Sequence, residues 1–145
     1  MMFIMMGALS YMLFLVIRAA TARNDTTVGA DTEVIPAKAT FAGIRGIPWL
    51  AIATNNASPW FVMAPSGIEY RVIRKHKRAY ADITQVDVRT APGTVNIEIQ
   101  FRDELLTLAV NVGTNKTAKT ALAHFPSSTI FTPRALAVLH SFSYE

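Results

Sequence analysis

Two hydrophobic regimes follow one another along this chain. From Met1 to Ile17 the apolar positions run on without one charged side chain; from Trp60 onward they alternate with polar positions in short runs. Alternation with period two sends successive side chains to opposite faces, so these runs predict half-buried β-strands. Trp60 to Ala64 is closed by Pro65-Ser66-Gly67, a turn. Ile68, Tyr70 and Val72 alternate with Glu69 and Arg71, and the polar stretch Arg74 to Arg78 is expected to end that strand. Ile83 to Thr90 sets Val86 and Val88 against Gln85, Asp87 and Arg89, and Ala91-Pro92-Gly93 turns the chain. Val95, Ile97, Ile99 and Phe101 alternate with Asn96, Glu98, Gln100 and Arg102; after Asp103-Glu104 come Leu106, Leu108, Val110 and Val112. Short runs joined by tight turns predict an antiparallel meander with one wet face.

The period then lengthens. Ala118, Leu122 and Phe125 stand at i, i+4 and i+7, which predicts a helix capped by Thr114 and stopped before Pro126. Thr132-Pro133 predicts a second helix start, with Thr as N-cap and Pro in the first helical position, and Leu136, Val138, Leu139 and Phe142 form its apolar stripe. Strands followed by helices define an α+β class in which the helices close one face or end of a curved antiparallel sheet.

The N-terminal run predicts a transmembrane anchor over residues 1–22. A spanning helix takes roughly 17–25 apolar residues. Met1 to Ile17 reaches the lower bound, and a snorkelling Arg18 followed by Ala19 to Ala22 lengthens it. Basic residues (Arg18, Arg23, Lys38, Arg45) follow the run, and none precedes it. The positive-inside rule then gives a single-pass protein of the cell membrane with a cytoplasmic C-terminal domain. The alternative is a cleaved signal peptide. Ala20-Thr21-Ala22 fits a small-x-small site, and cleavage after Ala22 would release a secreted or periplasmic β-rich binding domain. Residues 23–57 are expected to be a linker. It contains the apolar run Phe41 to Thr54, either an interfacial stretch or a second hydrophobic segment. Arg45 and Pro48 make a crossing there costly, since Arg at mid-bilayer costs at least about 2.5–3.5 kcal/mol. The β-rich domain is expected over residues 58–145.

Composition matters chiefly for the chemistries it removes. There is no cysteine, so thiolate nucleophiles, disulfides and Cys-held metals are excluded. His76, His124 and His140 are scattered, with no HExxH and no i, i+4 pair. No G-x-S-x-G, P-loop or G-x-G-x-x-G is present. Asp82 has no partner acid or base at a readable spacing and is expected to be a turn residue. No catalytic residue, cofactor or metal is therefore expected, and the chain reads as a non-enzymatic binding module.

The stretch from Pro59 to the C-terminus resembles the bacterial PH-like (pleckstrin-homology-like) domains of small membrane proteins. The residues that carry the resemblance are Pro59-Trp60-Phe61-Val62-Met63-Ala64-Pro65-Ser66-Gly67-Ile68, Tyr80-Ala81-Asp82-Ile83-Thr84-Gln85-Val86 and Thr132-Pro133-Arg134-Ala135-Leu136. The resemblance implies a curved antiparallel sheet with a closing helix and a membrane context. The chain departs from the pattern in having two helices after the strands and, at best, an Arg-interrupted second hydrophobic segment.

Net charge is +4, and five of the 14 basic residues fall between Arg71 and Arg78. Arg71, Arg74, Lys75, Lys77 and Arg78 flank an expected hairpin loop and form the candidate anionic-ligand site. Near an anionic leaflet each such residue contributes about 1 kcal/mol. The competing role is a solvated turn that keeps a sheet edge soluble. Expected partners are the membrane, anionic lipids, and membrane or cytosolic proteins. Nucleic acid is not expected, because no Phe, Tyr or Trp interrupts the basic run.

Overall fold

The alternating runs fold into two stacked antiparallel sheets. The computed structural model describes residues 31–45 and 47–141, with side chains for all of these except 47–51. Its strands are β1 (Glu33–Val34), β2 (Ala39–Ile44), β3 (Ile47–Asn55), β4 (Trp60–Ala64), β5 (Gly67–Arg71), β6 (Lys75–Ala79), β7 (Ile83–Ala91), β8 (Thr94–Phe101) and β9 (Leu106–Asn111). A 3₁₀ turn (Tyr80–Asp82) links β6 to β7, and helices α1 (Asn115–Ala123) and α2 (Pro133–His140) complete the order. The N-terminal run, the Ala22 site and Phe142 lie outside the described residues. Among the described residues no helix is long and apolar enough to cross a membrane.

One sheet has the order β1-β4-β5-β6, the other β3-β2-β9-β8-β7. All strand pairings are antiparallel. Register follows the pleat: Val86 faces Ile99, Val88 faces Ile97, and Ile97 faces Val110, so the apolar set of each strand lines one face. Those side chains meet Phe61, Met63, Ile68 and Tyr70 from the first sheet in a single core. Thr40 is fully buried between the sheets, and its hydroxyl donates to the Arg71 carbonyl, joining the two.

The helices close this core. Ala118, Ala121 and Leu122 are the buried face of α1, and two alanines let the helix approach closely. Phe125, just past its end, meets Tyr80 and Phe131 edge-on, each at 5.9 Å between ring centres. The predicted caps are in place: the Thr114 hydroxyl accepts from the Thr117 amide, and the Thr132 hydroxyl accepts from the Ala135 amide with Pro133 opening α2. The α+β order of strands then helices stands.

Two expectations are corrected. Residues 33–55 supply three strands rather than a linker, so the domain starts well before residue 58. The apolar run Phe41 to Thr54 is the β2–β3 hairpin, and β2 is an inner strand between β3 and β9. Arg45 sits in its turn, where the guanidinium donates to the Phe101 carbonyl, so the charge that argued against a membrane crossing marks a chain reversal. Second, the polar stretch after Ile68-Tyr70-Val72 forms β6, an edge strand paired with β5 from Gly67↔Ala79 to Arg71↔Lys75. Its core-facing positions are His76 and Arg78; the His76 ring stacks on Tyr70 and the Arg78 guanidinium lies over Phe101, in place of aliphatic side chains.

Candidate functional site

The β5–β6 hairpin divides the five basic residues between two faces and two ends. Arg71 and Lys75 are directly opposed at the tip end, and Arg74 is exposed in the turn between them. Like charges directly across a ladder repel. Here each has a local neighbour: Arg71 Nε and Nη2 donate to the Ser58 carbonyl at 3.1 and 2.8 Å, and Lys75 Nζ lies 4.7 Å from the centre of the Trp60 ring. Lys77 shares this outer face and pairs with Glu69 at 2.7 Å, with its side chain 71% exposed. Arg78 does not join them. It lies at the far end of β6, on the core-facing side, against Glu104 and over the Phe101 ring at 5.2 Å. His76 stacks on Tyr70 at 5.3 Å, and burial, then the charges of Arg74 and Arg78, hold its pKa below the usual imidazole value.

Ile73, at the tip itself, is 52% exposed beside the exposed Arg74. An apolar side chain between cations was not singled out from the sequence, because nothing local distinguishes it from a residue turned inward.

Several loops gather around this tip. Thr40 and Asn55 both donate to the Arg71 carbonyl, Lys38 N–H donates to Asn111, and Val112 N–H donates to Val95. The turns at residues 35–38, 56–59, 72–74, 92–93 and 112–114 therefore share one end of the sandwich. None of them contains Asp or Glu, while Lys38 and Arg74 lie within them and Arg71, Lys75 and Lys116 adjoin them. The opposite end mixes signs, with Asp82, Asp103 and Glu104 beside Arg45, Arg78 and Arg102.

A second charged cluster was not legible in the sequence. Asp87, on β7, accepts from the Thr132 hydroxyl, from Arg134 Nε at 3.2 Å and Nη2, and from the Val88 amide at 2.8 Å. Glu98 stands directly opposite Asp87 on β8 and pairs with Arg89 at 2.8 Å. Asp87 and Glu98 are both 7% exposed. Burial pushes Asp87 upward, but the bonds from Thr132, Arg134 and Val88 and the Arg134 charge outweigh it and leave the carboxyl below its usual range. Glu98 ends on the other side: burial raises it, and Arg89 only partly compensates. Beside the cluster a cleft of about 600 Å³ opens between β7 and α2, lined by Arg89, Thr90, Asn96, Glu98, Arg134 and Val138 among others.

His124, the C-cap of α1, and His140, the last residue of α2, are both exposed. Among the described residues no group of three or more His, Asp or Glu side chains could hold a metal ion. No protein-family model matches the chain, and the comparisons with curated proteins and with solved structures find no match.

Proposed function

We propose that this protein is a non-enzymatic, membrane-anchored binding module of PH-like architecture, whose cationic end docks on an anionic lipid surface at the inner membrane face. The observation that carries the reading is the hairpin tip: Ile73 stands exposed beside Arg74, at an end whose turns hold no carboxylate. An apolar side chain that enters the acyl boundary, ringed by cations that meet headgroups, combines the two terms that drive interfacial binding. The PH-like assignment rests on the residues from Pro59 onward and on two three-strand meanders closed by C-terminal helices. The anchor and its cytoplasmic orientation rest on the uncharged run Met1 to Ile17 and on the basic residues after it.

The chain's lack of cysteine makes the test direct. Full-length protein carrying Ile73→Cys, labelled with an environment-sensitive fluorophore, is mixed with vesicles of phosphatidylcholine alone or with phosphatidylglycerol added. A blue shift confined to the anionic vesicles is expected. Arg74→Ser with Lys75→Ser should weaken that docking roughly 30-fold, at about 1 kcal/mol per charge. A label that stays in water on anionic vesicles, or responds equally to both, would defeat the proposal.

A further inference from the structure

The cleft between β7 and α2 has a wall that neither the hairpin nor the core explains: an open strand edge. The Val86 amide donates to Ile130 O at 2.9 Å, and its carbonyl accepts from Thr132 N at 3.0 Å, so the backbone groups of Val86 face away from β8. The alternation of an antiparallel pair turns those of Val88 and Thr90 to the same edge. The Val88 amide is taken by its neighbour Asp87. The Val88 carbonyl and both backbone groups of Thr90 lie on an edge that no strand among the described residues covers, since β7 ends the order; Val88 is itself buried, whereas Thr90 and Ala91 are exposed. A short extended piece of this chain already docks on the first part of that edge, where Phe131 bridges Val86 in parallel. The cleft continues the same edge past that bridge, with Ala137 and Val138 of α2 as its opposite wall.

We propose that the open edge of β7 beside α2 is a docking groove for an extended acidic segment of a partner protein, which adds as a short strand along Val88 to Ala91. That stretch of edge runs about 10 Å, enough for a segment of four or five residues. Main-chain bonds to the exposed Thr90 supply the pairing, and small apolar side chains of the segment rest on Ala137 and Val138. The acidic preference comes from Arg89 and Arg134 at the cleft. They spend Nε, and in Arg134 one Nη as well, on Glu98 and Asp87, while their side chains stay 41% and 58% exposed.

The experiment titrates full-length, isotope-labelled protein with a capped hexapeptide of alternating valine and glutamate. Its lysine counterpart and two versions N-methylated at odd or at even residues serve as controls. Saturable amide shifts at Thr90, Ala91, Ala137 and Val138 are expected, lost with one N-methylated register and kept with the other. Ala137→Trp fills the groove from an exposed helix position and should weaken binding at least tenfold at an unchanged melting temperature. The lysine peptide should bind at least tenfold more weakly than the glutamate one. Absence of saturable shifts at millimolar peptide, shifts elsewhere on the protein, or indifference to both methylation registers overturns the strand-addition proposal; equal binding of the lysine peptide overturns its acidic specificity. The groove and the hairpin tip lie on different elements, so lipid docking can fail without touching this result.

Discussion

Asp87 shows how one side chain secures a distant element. The residue is 7% exposed, and its carboxylate holds both the cap hydroxyl of α2 and the Arg134 guanidinium, from 45 and 47 positions away. Hydrogen bonds to a charged group contribute roughly 1.5–3 kcal/mol, so Asp87→Asn should lower stability by about 2 kcal/mol in denaturant unfolding. The pH dependence has two opposing parts. Asp87 is depressed in the folded state, so its stabilisation is complete above the unfolded value near about 4 and is lost as pH falls through the lower folded value. Glu98 is raised, so its contribution is complete below about 4.3 and is lost as pH rises through the higher folded value. Carboxyl carbon titration should show Glu98 titrating above Asp87 by more than their ordinary difference. Glu98→Gln should remove the loss on the rising side.

At the scale of elements, the two helix caps offer a controlled comparison. Thr114 caps α1 through one bond to Thr117 N–H plus an exposed contact with the Thr117 hydroxyl. Thr132 caps α2 and also donates to the buried Asp87. Replacing a cap threonine by alanine costs about 1 kcal/mol. Thr114→Ala should show about that loss in thermal unfolding. Thr132→Ala should cost roughly twice as much, because a charged acceptor inside the fold loses a donor. The β4–β5 turn is under a tighter constraint. A Cβ at Gly67 would overlap the Arg78 carbonyl of β6, which is backbone and cannot swing aside. Gly67→Ala should therefore cost about 1–3 kcal/mol, the usual range for overpacking, and shift the amide resonances of β6 more than those of β7.

For the molecule as a whole, charge is polarised along the sandwich: carboxylate-free turns at one end, mixed signs at the other. Surface charge of this kind is screened over about 8–10 Å at physiological ionic strength. Docking of the Ile73 tip on anionic vesicles should therefore weaken steadily as salt rises from 50 to about 500 mM, while insertion of an apolar N-terminal helix would be indifferent to it. Orientation can be checked separately. A reporter active only in the cytoplasm, fused after Glu145, should give signal if Met1 to Ile17 remains as an anchor, and none if cleavage after Ala22 exports the domain.

The sequence by itself determined what local physics can enforce. Period-two alternation from Val86 through Val112 specified three strands and their core face, and the Thr114 and Thr132-Pro133 caps specified where the helices start. It failed where a strand lacks a clean apolar period. In β6 the core-facing positions are His76 and Arg78, made tolerable only by the rings of Tyr70 and Phe101 from other strands. In β2 and β3 the small residues Ala42, Gly43, Ala51 and Ala53 blur the alternation, and β-bulges between Ala42 and Ile44 shift it. Of the basic run, the sequence supplied the charges, but the hairpin register decided that Arg71, Arg74, Lys75 and Lys77 stay toward the tip while Arg78 withdraws to Glu104. The Asp87–Arg134 cluster and the cleft beside it belong wholly to tertiary structure. They exist because Ile130 to Thr132 dock on the edge of β7 at Val86 and set α2 beside it, and that contact depends on loop closure across some forty residues, for which no local pattern carries a signal.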